Sequence, residues 1–270
     1  MAVILYRESL MEKGELDIIK KYFPYVVDSM VGIDNQMVIG RYSCVPFYTE
    51  VERGLNLQGS HLINSPAQHR YIANFDYYED IELYTPKTYF RLADVPRNGG
   101  PFVVKGKTNS KKHQWNKMMF APTFHDAVRI GVELKNDYWF ANQDVIVREY
   151  VKLKQYGEGT HGLPFTNEWR FFFYKNTMLS HGFYWSESEI QGQLDSAGIQ
   201  LAIKIAAIVS EKTNFFVIDI GQKEDGSWIV IEINDGQMSG FSCNDPETLY
   251  CNLAKALNDE TMEAREIERT

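Results

Sequence analysis

A chain of 270 residues with a formal net charge of −8 and a pI near 5.3 lacks the basic surface that sequence-independent nucleic-acid binding requires. Its 44% hydrophobic and 14% aromatic content is enough for a sizeable core and excludes a disordered tail. Cys44, Cys243 and Cys251 fall in no disulfide or metal-ligand spacing, and no run approaches the roughly 18 apolar residues of a membrane span, so a soluble cytoplasmic protein with reduced thiols is expected.

In chain order, residues 3–6 read as a first strand; their apolar run is too short for a signal peptide. Leu10, Leu16, Ile19 and Tyr22 then follow a helical spacing that stops near Pro24. A strand over 37–42 leads through Pro46 to a short helix over 50–57, a strand over 61–64, and a helix opened by Ser65-Pro66. This alternation predicts a small α/β domain over residues 1–85. After Thr85-Pro86-Lys87-Thr88 the texture changes: strand 102–105, a polar loop to His113, helix 123–135 and strand 145–151, giving a second unit over 86–150. A third unit, 151–260, holds a hairpin (168–174 with 178–185 around Lys175-Asn176), a long helix over 187–210, and strands 215–220 and 228–234 about an Asp225-Gly226 turn. A last helix over 246–257 and a charged, frayed tail over 261–270 complete the chain.

The chemistry concentrates in the second hairpin. A turn on Asp225-Gly226 sets Asp219 across from Glu232, and period two puts Trp228, Val230, Glu232 and Asn234 on one face, with Ile229, Ile231 and Ile233 behind. Two carboxylates facing each other across a sheet repel, and an Asn oxygen nearby adds another acceptor. A solvated acidic face would explain one such residue. Three aligned oxygen donors fit a hard divalent cation such as Mg²⁺ better.

Asp219, Glu232 thirteen residues on, and Asn234, with an Asp-Gly turn between them, resemble the metal-binding signature of the ATP-grasp superfamily. The resemblance runs over residues 65–245 and is greatest to small ATP-grasp-domain proteins of bacteria and phages. It implies an N-terminal α/β domain followed by two ATP-grasp lobes with antiparallel sheets and helices. It also implies ATP and Mg²⁺, with the metal held by Asp219, Glu232 and Asn234. Lys105, which ends an apolar strand, matches the family's phosphate-contacting lysine. The polar loop after it, with Lys107 and Lys111, stands where the family has a lid over the triphosphate, although only Gly106 remains of its usual glycines. Glu149, Tyr150 and Val151 resemble the adenine-reading hinge. Arg170, on one strand face with Glu168 and Phe172, matches an arginine that contacts the transferred phosphate or acyl intermediate. A tight Lys175-Asn176 turn would set His181, read as structural, across from Arg170. Arg70 takes the place of a further phosphate-binding lysine, and Arg41, at a strand end of the first domain, is a candidate substrate contact.

The implied activity is a carboxylate–amine ligase working through an acyl phosphate and releasing ADP and phosphate. A kinase for a small-molecule acceptor is the alternative and would share the metal site. A nucleotidyltransferase using Lys105 covalently is disfavoured, because Gly106-Lys107-Thr108 lacks the acidic residue such a motif places two positions on. A non-catalytic nucleotide-binding module would not need all three metal ligands. The carboxylate and amine substrates (small molecule, peptide or protein) stay open, with no nucleic-acid or membrane partner expected.

Overall fold

The computed structural model describes residues 2–44, 47–140 and 143–267; Pro46 lies outside them. Four short strands, β1 (Ala2–Tyr6), β2 (Val26–Val27), β3 (Met37–Arg41) and β4 (His61–Leu62), form a parallel sheet in the order β2-β1-β3-β4. Both its faces are covered, which is why Val3, Ile4 and Leu5 are an unbroken apolar run. Val3, Leu5 and Val38 pack on helix α2 (Tyr48–Asn56) through Tyr48 and Leu55, while Ile4 and Ile39 meet Ile19 of α1 (Glu15–Tyr22). The first helical pattern is broken in two: a 3-10 turn at Glu8–Leu10 precedes α1, with Gly14 at φ 81° between them. Next, α3 (Pro66–Ala73) starts on a capping box formed by Ser65 and Gln68, and α4 (Tyr78–Ile81) follows.

The small lobe is an antiparallel sheet of β5 (Thr88–Tyr89), β6 (Phe102–Gly106), β7 (Phe120–Ala121) and β8 (Val145–Glu149), ordered β5-β8-β6-β7. A single-turn α5 (Trp115–Met118) precedes β7, and α6 (Phe124–Lys135) backs the sheet with Ala127, Ile130 and Leu134 against Phe102 and Val104. Between the lobes, where the sequence pattern marks only a loop, lies a two-stranded ribbon of β9 (Gln155–Glu158) with β10 (Pro164–Thr166).

In the large lobe β11 (Glu168–Tyr174), β12 (Thr177–Phe183), β13 (Phe215–Gln222) and β14 (Trp228–Asp235) form an antiparallel sheet ordered β12-β11-β13-β14. One face, with Phe171, Phe173, Phe216 and Ile218, packs on α7 (Ser196–Val209) and on α3–α4 through Tyr71, Phe75 and Ile81. The other face has Phe172, Tyr174, Phe215 and Val217 against α1 and the long α8 (Pro246–Ile267). Helix α7 begins nine residues later than its periodicity suggests, because Asp195 caps it by accepting from the Gly198 N–H at 2.9 Å. Helix α8 runs ten residues past the expected end, so the charged segment through Ile267 is helical.

Two bulges alter the expected registers. Asp219 does pair with Glu232, yet Ile220 pairs with Val230, leaving Ile231 as the extra residue. Val230 therefore turns into the core beside Ile233, and Ile231 turns to the cleft, the reverse of simple alternation. In the other hairpin Phe172 pairs with Ser180 and Phe173 with Met178, so Leu179 is extra; Arg170 then faces Gly182, and His181 faces Phe171.

Candidate active site

The site grows from the large sheet's second face. Its even positions on β11 and odd positions on β13 run from apolar to charged: Tyr174 and Phe172 give way to Arg170 and Glu168, and Phe215 and Val217 give way to Asp219. The apolar half is covered by helices, and the charged half opens on the cleft. Arg170 grips Asp219 with Nε and Nη2 at 2.9 and 2.8 Å, and its Nη1 donates to the Gly240 carbonyl at 2.8 Å. Asn234 donates through Nδ2 to Asp219 Oδ2 at 3.3 Å. Glu232 accepts from Lys105 Nζ, which reaches across from the small lobe.

Burial works to raise the Glu232 carboxyl, but Lys105, Lys112 and Arg170 outweigh it and hold the group well below the usual carboxylate range. Arg170 is desolvated as well, and Asp219 overcomes that cost and keeps its guanidinium charged. Glu168 goes the other way. Burial, helped by Asp219 and Glu232, pushes its carboxyl up to about 7 against the pull of Lys112 and the Thr166 hydroxyl.

Three connected chambers occupy the cleft. The inner one, about 810 Å³ including its mouth, is walled by Val103, Met119, Leu153, Leu163 and Ile231, with Lys105 and Glu232 at one end and Glu149, Tyr150 and Val151 along one side. That is the size and character of a small-ligand pocket. The middle chamber is polar, lined by Ser110, Lys111, Arg170, Glu232, Asn234 and Ser239. The outer one adds Glu158, Thr160, Glu187 and Ser242. Lys112 lines all three; its ammonium donates to Tyr184 Oη and sits 4.3 Å from the Tyr184 ring centre, with the Arg170 guanidinium 4.8 Å from that ring.

The expected residues thus divide. Lys105, Lys111, Glu149, Tyr150, Val151, Arg170, Glu232 and Asn234 converge on the cleft, and Asp219 stands directly behind Arg170, almost fully buried. Three do not converge there. Lys107 pairs with Asp144 at 2.9 Å, and Arg70 is exposed on α3 outside the chamber walls. Arg41 is buried, donating to Glu15 at 2.6 Å and to the Gly236, Gln237 and Ser239 carbonyls, so all its reach is spent inside the protein. Lys112, Arg148, Tyr184, Trp115 and Trp185 belong to the site and were not singled out beforehand. Lys112 was one of several lysines in a polar loop, and Arg148 read as the middle of an ordinary strand.

Among the described residues no group of three or more His, Cys, Asp and Glu side chains is gathered as a metal centre. The candidate set is two carboxylates and an amide. Its hard oxygen donors on paired strands fit Mg²⁺, provided the contacts to Lys105 and Arg170 are exchanged for the cation and its phosphate ligands.

A nucleotide-sized pocket between two antiparallel lobes, with a strand lysine on one wall and an Asp-Glu-Asn set on the other, defines an ATP-grasp protein. Residues 96–253 match a family model described as an ATP-grasp domain, the third family of its clade, and the chain belongs to that family. No curated protein matches the sequence significantly. Among solved structures it is similar to a RimK domain ATP-grasp protein from Sphaerobacter thermophilus, with 12% identity and a TM-score of 0.60 over 94% of this chain and 98% of that one. D-cycloserine synthetase DcsG matches at 15% identity and TM-score 0.56, over 95% and 100% of the two chains. The ATP-grasp ligase PsnB, solved with a minimal precursor, Mg and ADP, matches at 14% and 0.56, over 94% and 97%. The expected ATP-grasp fold is therefore the fold of this chain, and among the described residues no helix is long and apolar enough to cross a membrane.

Proposed function

We propose that this chain is an ATP- and Mg²⁺-dependent ligase that phosphorylates a carboxylate and joins it to an amine, releasing ADP and phosphate. The observation that supports it best is the shared wall: Glu232 lines both the apolar inner chamber and the polar middle one, where Arg170 and Asn234 also stand. A nucleoside seated in the inner chamber against Tyr150 and Ile231 would direct its phosphates past Lys105 toward Arg170. Mg²⁺ held by Asp219, Glu232 and Asn234 would supply charge neutralisation of the β- and γ-phosphates.

Lys105 then exchanges Glu232 for a phosphate oxygen, as a flexible point charge can. Arg170 holds the acceptor carboxylate and the phosphoryl group in line, and Lys112 screens the charge between them. The ribbon β9–β10 and the Trp115 segment cover the inner chamber and exclude water from the activated acyl group. No enzyme nucleophile is used, so the acyl phosphate stays on the substrate. The names of DcsG, a synthetase, and PsnB, a ligase, agree with this chemistry.

The test is product analysis with candidate carboxylates, hydroxylamine serving as the amine trap. ADP, phosphate and a hydroxamate are expected. AMP with pyrophosphate, or an AMP adduct on Lys105, would sink the reading, and ADP with a stable phosphorylated alcohol would make the chain a kinase.

A further inference from the structure

The outer chamber, where the cleft meets solvent, is lined with opposite charges at its two ends. Arg170 and Lys112 stand at the inner end, which it shares with the middle chamber. Glu158 of β9 and Glu187, just beyond β12, contribute to its wall from outside the middle chamber. Both glutamates are exposed, and neither has an ion-pair partner among the described residues. A third feature is independent of this polarity. Trp185 lines the inner and outer chambers and is 6% exposed, yet its indole N–H is buried with no hydrogen-bond partner. A buried donor without an acceptor is costly, and a ligand oxygen beside it would remove that cost.

We propose that the outer chamber binds a zwitterion: one molecule with a free carboxylate and a free ammonium, carboxylate inward toward Arg170 and ammonium toward Glu158 and Glu187. The substrate class is a free amino acid or a short peptide, and a chamber of about 1470 Å³ including its mouth admits either. The proposal rests on the ligase reading, since the inward carboxylate is the one that Arg170 would present for phosphorylation. Charge also works against the competitors. A dicarboxylate would press its second anion against two unpaired glutamates, and a simple fatty or aromatic acid would leave both without a partner. Trp185 completes the site by donating to a carboxylate or peptide oxygen.

The experiment is calorimetric titration of the whole protein, saturated with Mg–ADP. The twenty amino acids and a set of alanine-containing dipeptides are titrated, each beside its N-acetyl derivative. At least one zwitterion is expected to bind, with its N-acetyl partner at least roughly tenfold weaker. The double variant Glu158→Gln/Glu187→Gln should erase that preference, with ADP affinity as the control for folding. Trp185→Phe, which keeps the ring and removes the donor, should weaken both ligands by roughly three- to tenfold. Equal binding of parent and N-acetyl forms, a preference that survives the double variant, or no binding by any zwitterion would each overturn the proposal. Hydroxamate formation is measured separately. Zwitterion binding without hydroxamate would remove the ligase reading alone, whereas hydroxamate from N-acetylated carboxylates as readily as from zwitterions would remove the zwitterion proposal alone.

Discussion

The molecule contains two kinds of buried ion pair, and they differ in what adjoins them. In the N-terminal domain Arg41 and Glu15 are both almost fully buried, and every neighbour is protein: Tyr250 Oη donates to Glu15, and three carbonyls of the turn after β14 accept from Arg41. In the cleft, Lys105–Glu232 and Arg170–Asp219 are nearly as buried, but Lys105, Glu232 and Arg170 face voids. Burial and charge alone do not distinguish the two. A charge whose partners are all internal is a brace; one with a partner on one side and open space on the other can trade that partner for a ligand.

The largest effect expected from this contrast is on the brace. Arg41→Met strands Glu15 in the core and should cost about 3–5 kcal/mol of stability, read as a shift in urea midpoint at unchanged slope. Adding Glu15→Gln should restore part of the loss, because the buried charge is then gone. Glu232→Gln should do the opposite: turnover falls by roughly a hundred- to a thousandfold while the urea midpoint moves little. If Glu232→Gln unfolds the protein as readily as Arg41→Met and leaves turnover intact, the cleft pair is a brace too and the contrast fails.

This contrast also marks how far the site was legible in advance. The Asp-Gly turn set the pairing of Asp219 with Glu232, and a strand-end lysine pointed to Lys105, because both depend on local geometry. The face of Val230 and Ile231 was misread, since a bulge adds one residue with no compositional mark and reverses everything beyond it. The same effect moved His181 away from Arg170. Arg41 had the right position for a ligand contact, at a C-terminal strand end, but the turn from Gly236 to Ser239 closes over it from nearly two hundred residues away. Lys112, Tyr184 and Trp185 were hidden for a related reason. They meet only when the small lobe's loop lies against the end of β12, a contact that no periodicity encodes.

The smallest predicted effect concerns Glu168, which shares the charged sheet face with Arg170 but has no basic group in direct contact; its carboxyl accepts from the Thr166 hydroxyl. Its folded-state carboxyl, pushed up to about 7 from 4.5, favours the protonated form in the folded protein. The stabilisation from that proton is complete below the unfolded value and is lost as pH rises through the folded one. Between about pH 5.5 and 6.5 the folded protein keeps most of this proton and the unfolded chain has released it. Wild type should therefore lose about 1 kcal/mol across that interval relative to Glu168→Gln, which cannot titrate. Paired urea titrations at the two pH values measure the difference directly. A wild-type profile parallel to that of the Gln variant would mean that Glu168 is already ionised at pH 5.5. Lys112, which lines all three chambers, would then be neutralising it as a third cleft ion pair, in place of the uncharged carboxyl described here.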